Sequence, residues 1–191
     1  LNTVSAVADR LFAAAAWQDV LPEMLQRLGQ AAQASRAYVI QALPKQPGET
    51  QFRQVGEWVS SGTSTGMDLD HPGLDAIRAP VFQRWESVLS AGQILQGEAS
   101  SFPENEQPYL ESFLIRSIIV VPIHVNGVWW GFIGLDDCQA ARLWLPAEED
   151  ALKVAANLLS AAVQREQANV QLQRAFESEH EERRAAQVLR E

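Results

Sequence analysis

The chain has 191 residues, of which 47% are hydrophobic and 20% charged, so it can form one globular domain with an appendage. This composition excludes collagen-like, low-complexity and disordered chains. The formal net charge of −9 argues against a nucleic-acid partner.

The chain opens with two predicted helices. Apolar residues at helical spacing predict an N-terminal linker helix over residues 1–16. The second helix is predicted to begin after an Asp19 N-cap, with Pro22 in its first turn, and to end near Ser35. The stripe of the first helix consists of Val4, Val7, Ala8, Leu11, Phe12 and Ala15.

The middle of the chain predicts a hairpin, a loop and short helices. Residues 37–43 and 51–60 contain β-forming side chains on either side of turn residues, which favours two paired strands. A loop is expected over residues 60–73. Beyond it we expect a helix over 70–79 that stops at Pro80, a helix over 81–92, a short edge strand at Ile94 and Leu95, and a helix that carries Leu110, Phe113 and Leu114.

A second hairpin gives the clearest local signal. Asn126-Gly127 suits a type I′ turn and lies between the apolar runs 117–125 and 128–135. The runs are almost continuously hydrophobic, so both faces of this hairpin should be covered. We expect the terminal helices on one face and the irregular region 60–114 on the other.

The last predicted element is a long helix that begins at Pro146 and runs on after Val163. We interpret residues 166–191 as a signalling helix that resembles a coiled coil and leads to an output domain, so the chain is expected to be a fragment of a longer protein. A helix that is simply solvated is the alternative. The residues that approximate a heptad seam are Leu158, Ala162, Leu172, Phe176 and Ala186.

The second hairpin also carries a resemblance to a known family. The run Ser117–Ile123, the Asn-Gly turn and the run Trp130–Asp137, followed by Arg142, Trp144 and Glu148, resemble the C-terminal half of a GAF domain. The resemblance extends over residues 17–165. It implies an α+β, PAS-related fold in which a central antiparallel sheet has the N- and C-terminal helices on one face and a ligand cavity under loops and short helices on the other.

The resemblance also implies a function. It indicates a non-catalytic domain that senses a small molecule within a bacterial signal-transduction protein, such as a histidine kinase, a diguanylate cyclase or a tandem sensor. A structural dimerisation module with a filled core and no ligand is the alternative. Either module is expected to form a homodimer through its terminal helices.

Strand alternation assigns candidate pocket residues within that fold. Val39, Ile119 and Val121 are expected to face the helices, and the neighbouring positions to face the cavity. The same cavity-facing residues can instead fill a closed core, so both alternatives stay open. Two tryptophans are added because their segments are expected to wall or roof the cavity. The candidate ligand-binding residues are Tyr38, Ile40, Trp58, Trp85, Ile118, Val120 and Asp136.

Two adjacent acids end the last strand of the hairpin. Asp136 and Asp137 should point to opposite faces, which argues against a catalytic pair that shares a proton. We expect one of them to cap the following loop or to pair with Arg142. If the other acid faces the cavity, its carboxylate favours a ligand that carries hydrogen-bond donors or a positive charge. His71 and His124 are expected to be exposed and to bind no metal.

The ligand is not identified by the sequence. The Asn-Lys-x-x-x-Phe-x-x-x-Asp-Glu arrangement of cyclic-nucleotide-binding members is absent, which argues against cyclic AMP or cyclic GMP. Bilin-binding members attach the chromophore through a cysteine in the middle helices or the N-terminal extension. Because Cys138 follows the last strand instead, a covalent bilin is not expected. One cysteine also cannot support the redox cycle of reductase members, so no enzyme activity is expected.

The location of the protein is inferred from its cysteine content and its apolar runs. A single cysteine, Cys138, excludes an internal disulfide and fits a reducing, cytoplasmic compartment. The longest apolar run, 118–123, is far shorter than the roughly 20 residues of a membrane-spanning helix. No contact with a membrane is therefore expected.

Overall fold

A computed structural model describes residues 14, 16–46, 49–63 and 75–188. The elements in chain order are α1 (Leu21–Ala31), β1 (Arg36–Gln46), β2 (Glu49–Val59), α2 (Asp75–Ser90), β3 (Leu95–Glu98), α3 (Gln107–Ser112), β4 (Ser117–Val125), β5 (Val128–Asp137) and α4 (Pro146–Val188). All six residues of the stripe predicted for the first helix, and His71, lie outside the described residues.

The strands form one antiparallel sheet in the order β2-β1-β5-β4-β3. Helices α1 and α4 cover one side, called here the helix face, and α2 and α3 cover the other, called the distal face. This is the α+β architecture that the sequence predicted. Within the described residues, no helix is both long and apolar enough to cross a bilayer.

The β4–β5 hairpin has the predicted turn. Asn126 and Gly127 have φ angles of 53° and 77°, the positive values that a type I′ turn requires at both central residues. Ile118 and Val120 face the distal side, whereas Ile119 and Val121 face the helices. Both sets are buried, which confirms that the hairpin is covered on its two faces.

Helix α1 differs from its predicted bounds. It begins at Leu21 after a 3-10 turn, and Asp19 lies in that turn rather than capping the helix with its side chain. It ends at Ala31 because Gln33 adopts a left-handed φ of 51° and the Ala34 N–H bonds the Gly29 carbonyl at 2.9 Å. This hydrogen bond closes the helix four residues before Ser35.

Helix α2 is a single helix where two were predicted. It runs from Asp75 through Pro80 to Ser90, so the proline does not end it. A proline inside a helix removes one backbone hydrogen bond, and this loss is smaller than the gain from burying residues such as Trp85 and Leu89 further along the same helix.

Helix α4 packs on the sheet through its first half. The residues on its sheet side are buried up to Val163, and every side chain from Gln167 to Glu181 is exposed. Ala162 is only 2% exposed and lies in the helix-face core. The predicted heptad seam through Ala162 is therefore wrong, because it mixes sheet-facing and outward-facing positions.

Gly29 on α1 gives a first test of the helix face. A methyl group there would lie 2.1 Å from the nearest ring atom of Trp58, so Gly29→Ala is expected to overpack this contact and to lower the free energy of unfolding by about 1–3 kcal/mol. Urea denaturation measures the change. Trp58→Leu should recover part of the loss in the double variant, and a Gly29→Ala protein as stable as the wild type would contradict the close packing.

Candidate functional site

The distal face carries an aromatic layer formed by β1, β2, β5, α2 and α3. Phe52 stacks on Phe82 with ring centroids 4.2 Å apart, and Trp85 lies edge-on to Phe82 at 6.0 Å. Trp85 also contacts Phe132 at 6.2 Å and Tyr109 at 6.3 Å. In this structure the space beneath α2 and α3 is therefore lined by rings that contact one another.

Five candidate pocket residues are buried in this layer. Tyr38, Ile40, Trp85, Ile118 and Val120 are each at most 3% exposed and belong to one apolar cluster. The alternation of β1 and β4 brings them together, because positions two apart on a strand share a face.

Trp58 lies on the opposite side of the sheet from the other candidates. It pairs with Ala37 across β1 and β2, and Ala37 belongs to the helix-face core. Directly paired residues share a face, so Trp58 packs against α1 at Gly29. Its assignment to the cavity wall is corrected for this reason.

Asp136 forms a buried ion pair with Arg36. The two residues are paired across β1 and β5, both side chains are 0% exposed, and the Arg36 Nε donates to Asp136 at 2.9 Å. Arg36 Nη2 also donates to the Phe113 carbonyl at 2.7 Å, just after α3. Burial raises the pKa of Asp136 to about 6, although Arg36 acts in the opposite direction.

Arg36 was not among the predicted site residues. Strand alternation could have identified it. Arg36 lies two residues before Tyr38 on the same strand, so the two side chains are on the same face of the sheet. The charge of Asp136 is therefore matched within the protein, and its role as a receptor for a cationic ligand does not follow from this geometry.

Asp137 holds the start of the loop that leads to α4. Its Oδ1 accepts hydrogen bonds from the Gln139 and Ala140 N–H groups at 2.8 and 2.9 Å. Its Oδ2 accepts from Arg142 Nε at 3.0 Å, as predicted for one of the two acids. Arg142 also donates through Nη1 to Glu148 Oε1 at 2.9 Å, and Glu148 lies in the first turn of α4.

Glu106 is a further buried acid, and the sequence did not single it out. Its side chain is 0% exposed and accepts from Arg84, with a 2.8 Å contact at Nη2, and from Trp85 Nε1 at 3.0 Å. Glu106 directly precedes α3, and both donors are on α2. This carboxylate therefore links α2 to the start of α3 by hydrogen bonds, and these two helices cover the aromatic layer.

Cys138 is close to the Asp136 carboxylate, with Sγ 3.7 Å from Oδ1. Burial raises the pKa of this thiol to about 11, with the Asp136 charge acting in the same direction. The thiol is therefore protonated at neutral pH and weakly nucleophilic. Among the described residues, no group of three histidine, cysteine or acidic side chains is placed to hold a metal ion.

Two surface grooves lie beside these residues. One, of about 590 Å³, is lined by Leu114, Arg116 and Cys138, and another, of about 660 Å³, is lined by Trp58, Gln139 and the end of α1. Of the seven candidate pocket residues, Trp58 alone lines either of these two grooves, and the other six are buried.

The chain is similar in sequence to a known domain family and to a histidine kinase. The family model described as GAF domain matches residues 16–163. The chain is 33% identical over 157 residues to the methanogenesis regulatory histidine kinase FilI of Methanothrix harundinacea (strain 6Ac), a match that covers 82% of this chain and 17% of that kinase. The chain thus spans about a sixth of that relative.

Solved structures share the fold at low sequence identity. A phycoerythrobilin-bound GAF domain from a cyanobacterial phytochrome superposes with a TM-score of 0.73 at 11% identity, covering 88% of this chain and 96% of that one. A far-red absorbing protein with bound biliverdin IXα superposes with a TM-score of 0.67 at 16% identity, covering 86% of this chain and 98% of that one.

These structures correct the cofactor expectation. The expectation that a covalent bilin is unlikely was wrong as a guide to the ligand class, because structural neighbours of this chain are bilin-bound GAF domains. The position of Cys138 concerned covalent attachment alone, whereas the fold itself accommodates bilins in other proteins.

Proposed function

Because this chain belongs to the GAF domain family, we propose that it is a cytoplasmic sensory domain of a multidomain signalling protein such as a histidine kinase. In this proposal the domain carries out no catalysis. A small molecule enters the aromatic layer of the distal face and changes the position of α2 and α3, and the change passes to α4.

The observation that carries the proposal is a series of polar contacts from the distal layer to α4. The Phe113 carbonyl after α3 accepts from Arg36, and Arg36 pairs with Asp136. The next residue, Asp137, pairs with Arg142, which pairs with Glu148 in the first turn of α4. A displacement of α3 therefore moves polar groups whose contacts hold the first turn of α4 in place.

The aromatic layer supports a ligand with a large apolar surface. Rings such as Phe52, Phe82 and Trp85 provide flat contact surfaces, and the hydroxyl of Tyr38 and the indole N–H of Trp85 are polar groups within the same layer. To admit a ligand, α2 or α3 must move away from the sheet, since the rings contact one another in this structure. Biliverdin is the probe that the structural neighbours suggest.

The expected result is that purified protein mixed with biliverdin IXα retains the pigment through gel filtration and shifts its absorption band. Trp85→Phe, which changes the distal layer, should weaken retention at least about fivefold. Trp58→Phe is the matched control, because Trp58 lies on the helix face and retention should not change. Native mass spectrometry of freshly purified protein tests in parallel for any other retained small molecule.

The filled-core alternative rests on the same ring contacts. If the layer is a permanent core, neither biliverdin nor a retained molecule is found, and Trp85→Phe changes stability alone. The domain would then be a structural dimerisation module. Equal loss of biliverdin retention in both tryptophan variants would contradict a distal binding site as well.

A further inference from the structure

The groove of about 590 Å³ beside Cys138 is lined by one arginine and one acid that do not pair. Arg116 directly precedes β4, and Glu111 lies on α3. Both side chains are exposed, and neither makes an ion pair or a hydrogen bond with any residue that the structure describes. Other arginines of the described chain pair with acids, namely Arg27, Arg36, Arg84, Arg142 and Arg183. The groove therefore offers a positive and a negative group that are both available.

Gln107 adds a fixed acceptor one helical turn before Glu111. Its Nε2 donates to the Ser100 carbonyl at 3.2 Å and to the Phe102 carbonyl at 2.8 Å. Only the amide nitrogen can donate to carbonyls, so these two bonds fix the orientation of the amide. Residues four apart share one side of a helix. The Gln107 Oε1 and the Glu111 carboxylate can therefore accept hydrogen bonds from the same cationic group.

The groove also has an apolar side. Leu114 is 56% exposed and lines it together with the buried Ile115. Leu114 has a left-handed φ of 59°, a conformation that costs a leucine free energy and that a glycine adopts freely. The Cys138 thiol in the same groove is protonated, because burial raises its pKa, so it adds no charge. An exposed leucine in a strained conformation beside two available charges points to a ligand surface.

We propose that this groove binds a small zwitterion with an apolar side chain, such as an α-amino acid or a short peptide. The Arg116 guanidinium holds the carboxylate, and Glu111 and Gln107 accept from the ammonium. Leu114 and Ile115 contact the apolar side chain. The volume lies within the range of ordinary ligand clefts. This site is separate from the aromatic layer of the distal face, so it goes beyond the proposed function.

The groove adjoins the polar contacts that lead from α3 to α4. Cys138 Sγ lies 3.8 Å from the Phe113 carbonyl oxygen, which accepts from Arg36. The Arg116 backbone N–H donates to the Asp137 carbonyl at 2.8 Å. A ligand held by both Glu111 and Arg116 therefore bridges α3 and the start of β4 beside these contacts.

The test is a titration of the isotope-labelled chain with L-leucine, followed by NMR chemical shifts. We expect saturable shifts at the amides of residues 107–116 and 138–141, with a Kd below about 1 mM. Isocaproate lacks the ammonium and isoamylamine lacks the carboxylate, so each should bind at least about tenfold more weakly. The dipeptide leucylalanine distinguishes a peptide ligand from a free amino acid, according to which of the two binds more tightly.

Two variants place leucine in the groove. Arg116→Gln and Glu111→Gln should each weaken binding at least about tenfold. Both chains should fold, because the two side chains are exposed. Arg174→Gln is the matched control, since Arg174 is exposed on α4 and does not line the groove. It should leave binding unchanged.

Absence of saturable shifts at about 10 mM leucine would overturn the proposal, as would isocaproate that binds as tightly as leucine. Equal weakening by Arg116→Gln and Arg174→Gln would do the same. Shifts confined to the distal layer, at residues such as Trp85 and Phe132, would place leucine in the other site and also overturn it. The titration needs no biliverdin, so this site can fail while biliverdin binding succeeds, or the reverse.

Discussion

Replacing Arg36 with methionine is expected to lower the free energy of unfolding by about 3–5 kcal/mol at neutral pH. The substitution leaves the Asp136 carboxylate without its counter-charge in a site where both side chains are 0% exposed. It also removes the donor to the Phe113 carbonyl, which joins α3 to the sheet. Urea denaturation followed by tryptophan fluorescence measures the change.

The loss should depend on pH in a defined direction. Burial raises the pKa of Asp136 from its ordinary 3.8 to about 6, against the opposing effect of Arg36. A group with a raised pKa in the folded state contributes stability that is complete below its unfolded pKa and is lost as the pH rises through its folded pKa. Removing Arg36 raises this pKa further, so the deficit of Arg36→Met should be smaller at pH 5 than at pH 8.

Two further variants distinguish the cost of losing the Arg36–Asp136 ion pair from unspecific destabilisation of the domain. Adding Asp136→Asn to Arg36→Met should recover stability at neutral pH, because it removes the unpaired carboxylate. Arg27→Met is the exposed control, since its pair with Glu23 lies on the surface of α1 and should contribute only about 0.5 kcal/mol. A double variant less stable than Arg36→Met alone, at both pH values, would mean that the carboxylate is not the source of the cost.

The parts of the fold that the sequence predicted are those with local signals. The Asn126-Gly127 turn joins β4 to β5, and alternation along β4 places Ile118 and Ile119 on opposite faces, although the hairpin register shifts between Ile123 and His124. The face of Trp58 was missed because its assignment rested on the segment that it occupies and not on a strand register. The β1–β2 register shifts between Val39 and Ile40, so Phe52 and Trp58 lie on opposite faces. No local pattern in the sequence marks that irregularity.

The candidate site was predicted in part for the same reason. Alternation along β1 and β4 could identify Tyr38, Ile40, Ile118 and Val120 as residues of one face. The pairing of Arg36 with Asp136 depends on which strands are neighbours, and the two residues are 100 positions apart in sequence. A contact of this kind follows from the topology of the sheet, which spacing and composition do not contain.

Helix α4 shows a third limit of sequence patterns. A helix with apolar residues on two sides offers several apolar spacings, and the sequence alone does not say which of them faces the sheet. The burial of Ala162 decides it and leaves Leu172 on the outside. The same burial divides α4 into a half that packs on the sheet and a half whose side chains are exposed from Gln167 to Glu181.

Replacing Glu106 with alanine is expected to lower the free energy of unfolding by about 2–4 kcal/mol and to loosen the cover of the aromatic layer. The Trp85 N–H would lose its acceptor in a site that is 3% exposed, and α2 would lose its polar fastening to α3. Arg84, whose side chain is 38% exposed, can return to water and adds less to the cost. Amide hydrogen exchange should therefore accelerate in α2 and α3 more than in the β4–β5 hairpin.

Glu106→Gln is the matched control, because its amide oxygen can still accept from Trp85 Nε1 while the charge opposite Arg84 is gone. We expect it to cost about 1 kcal/mol and to leave exchange in α3 close to that of the wild type. If the aromatic layer binds a ligand only when α2 and α3 open, Glu106→Ala should also bind biliverdin faster than the wild type in stopped-flow absorption. Faster exchange in Glu106→Ala spread evenly over the whole sheet would indicate that Glu106 stabilises the domain globally and does not control its cover.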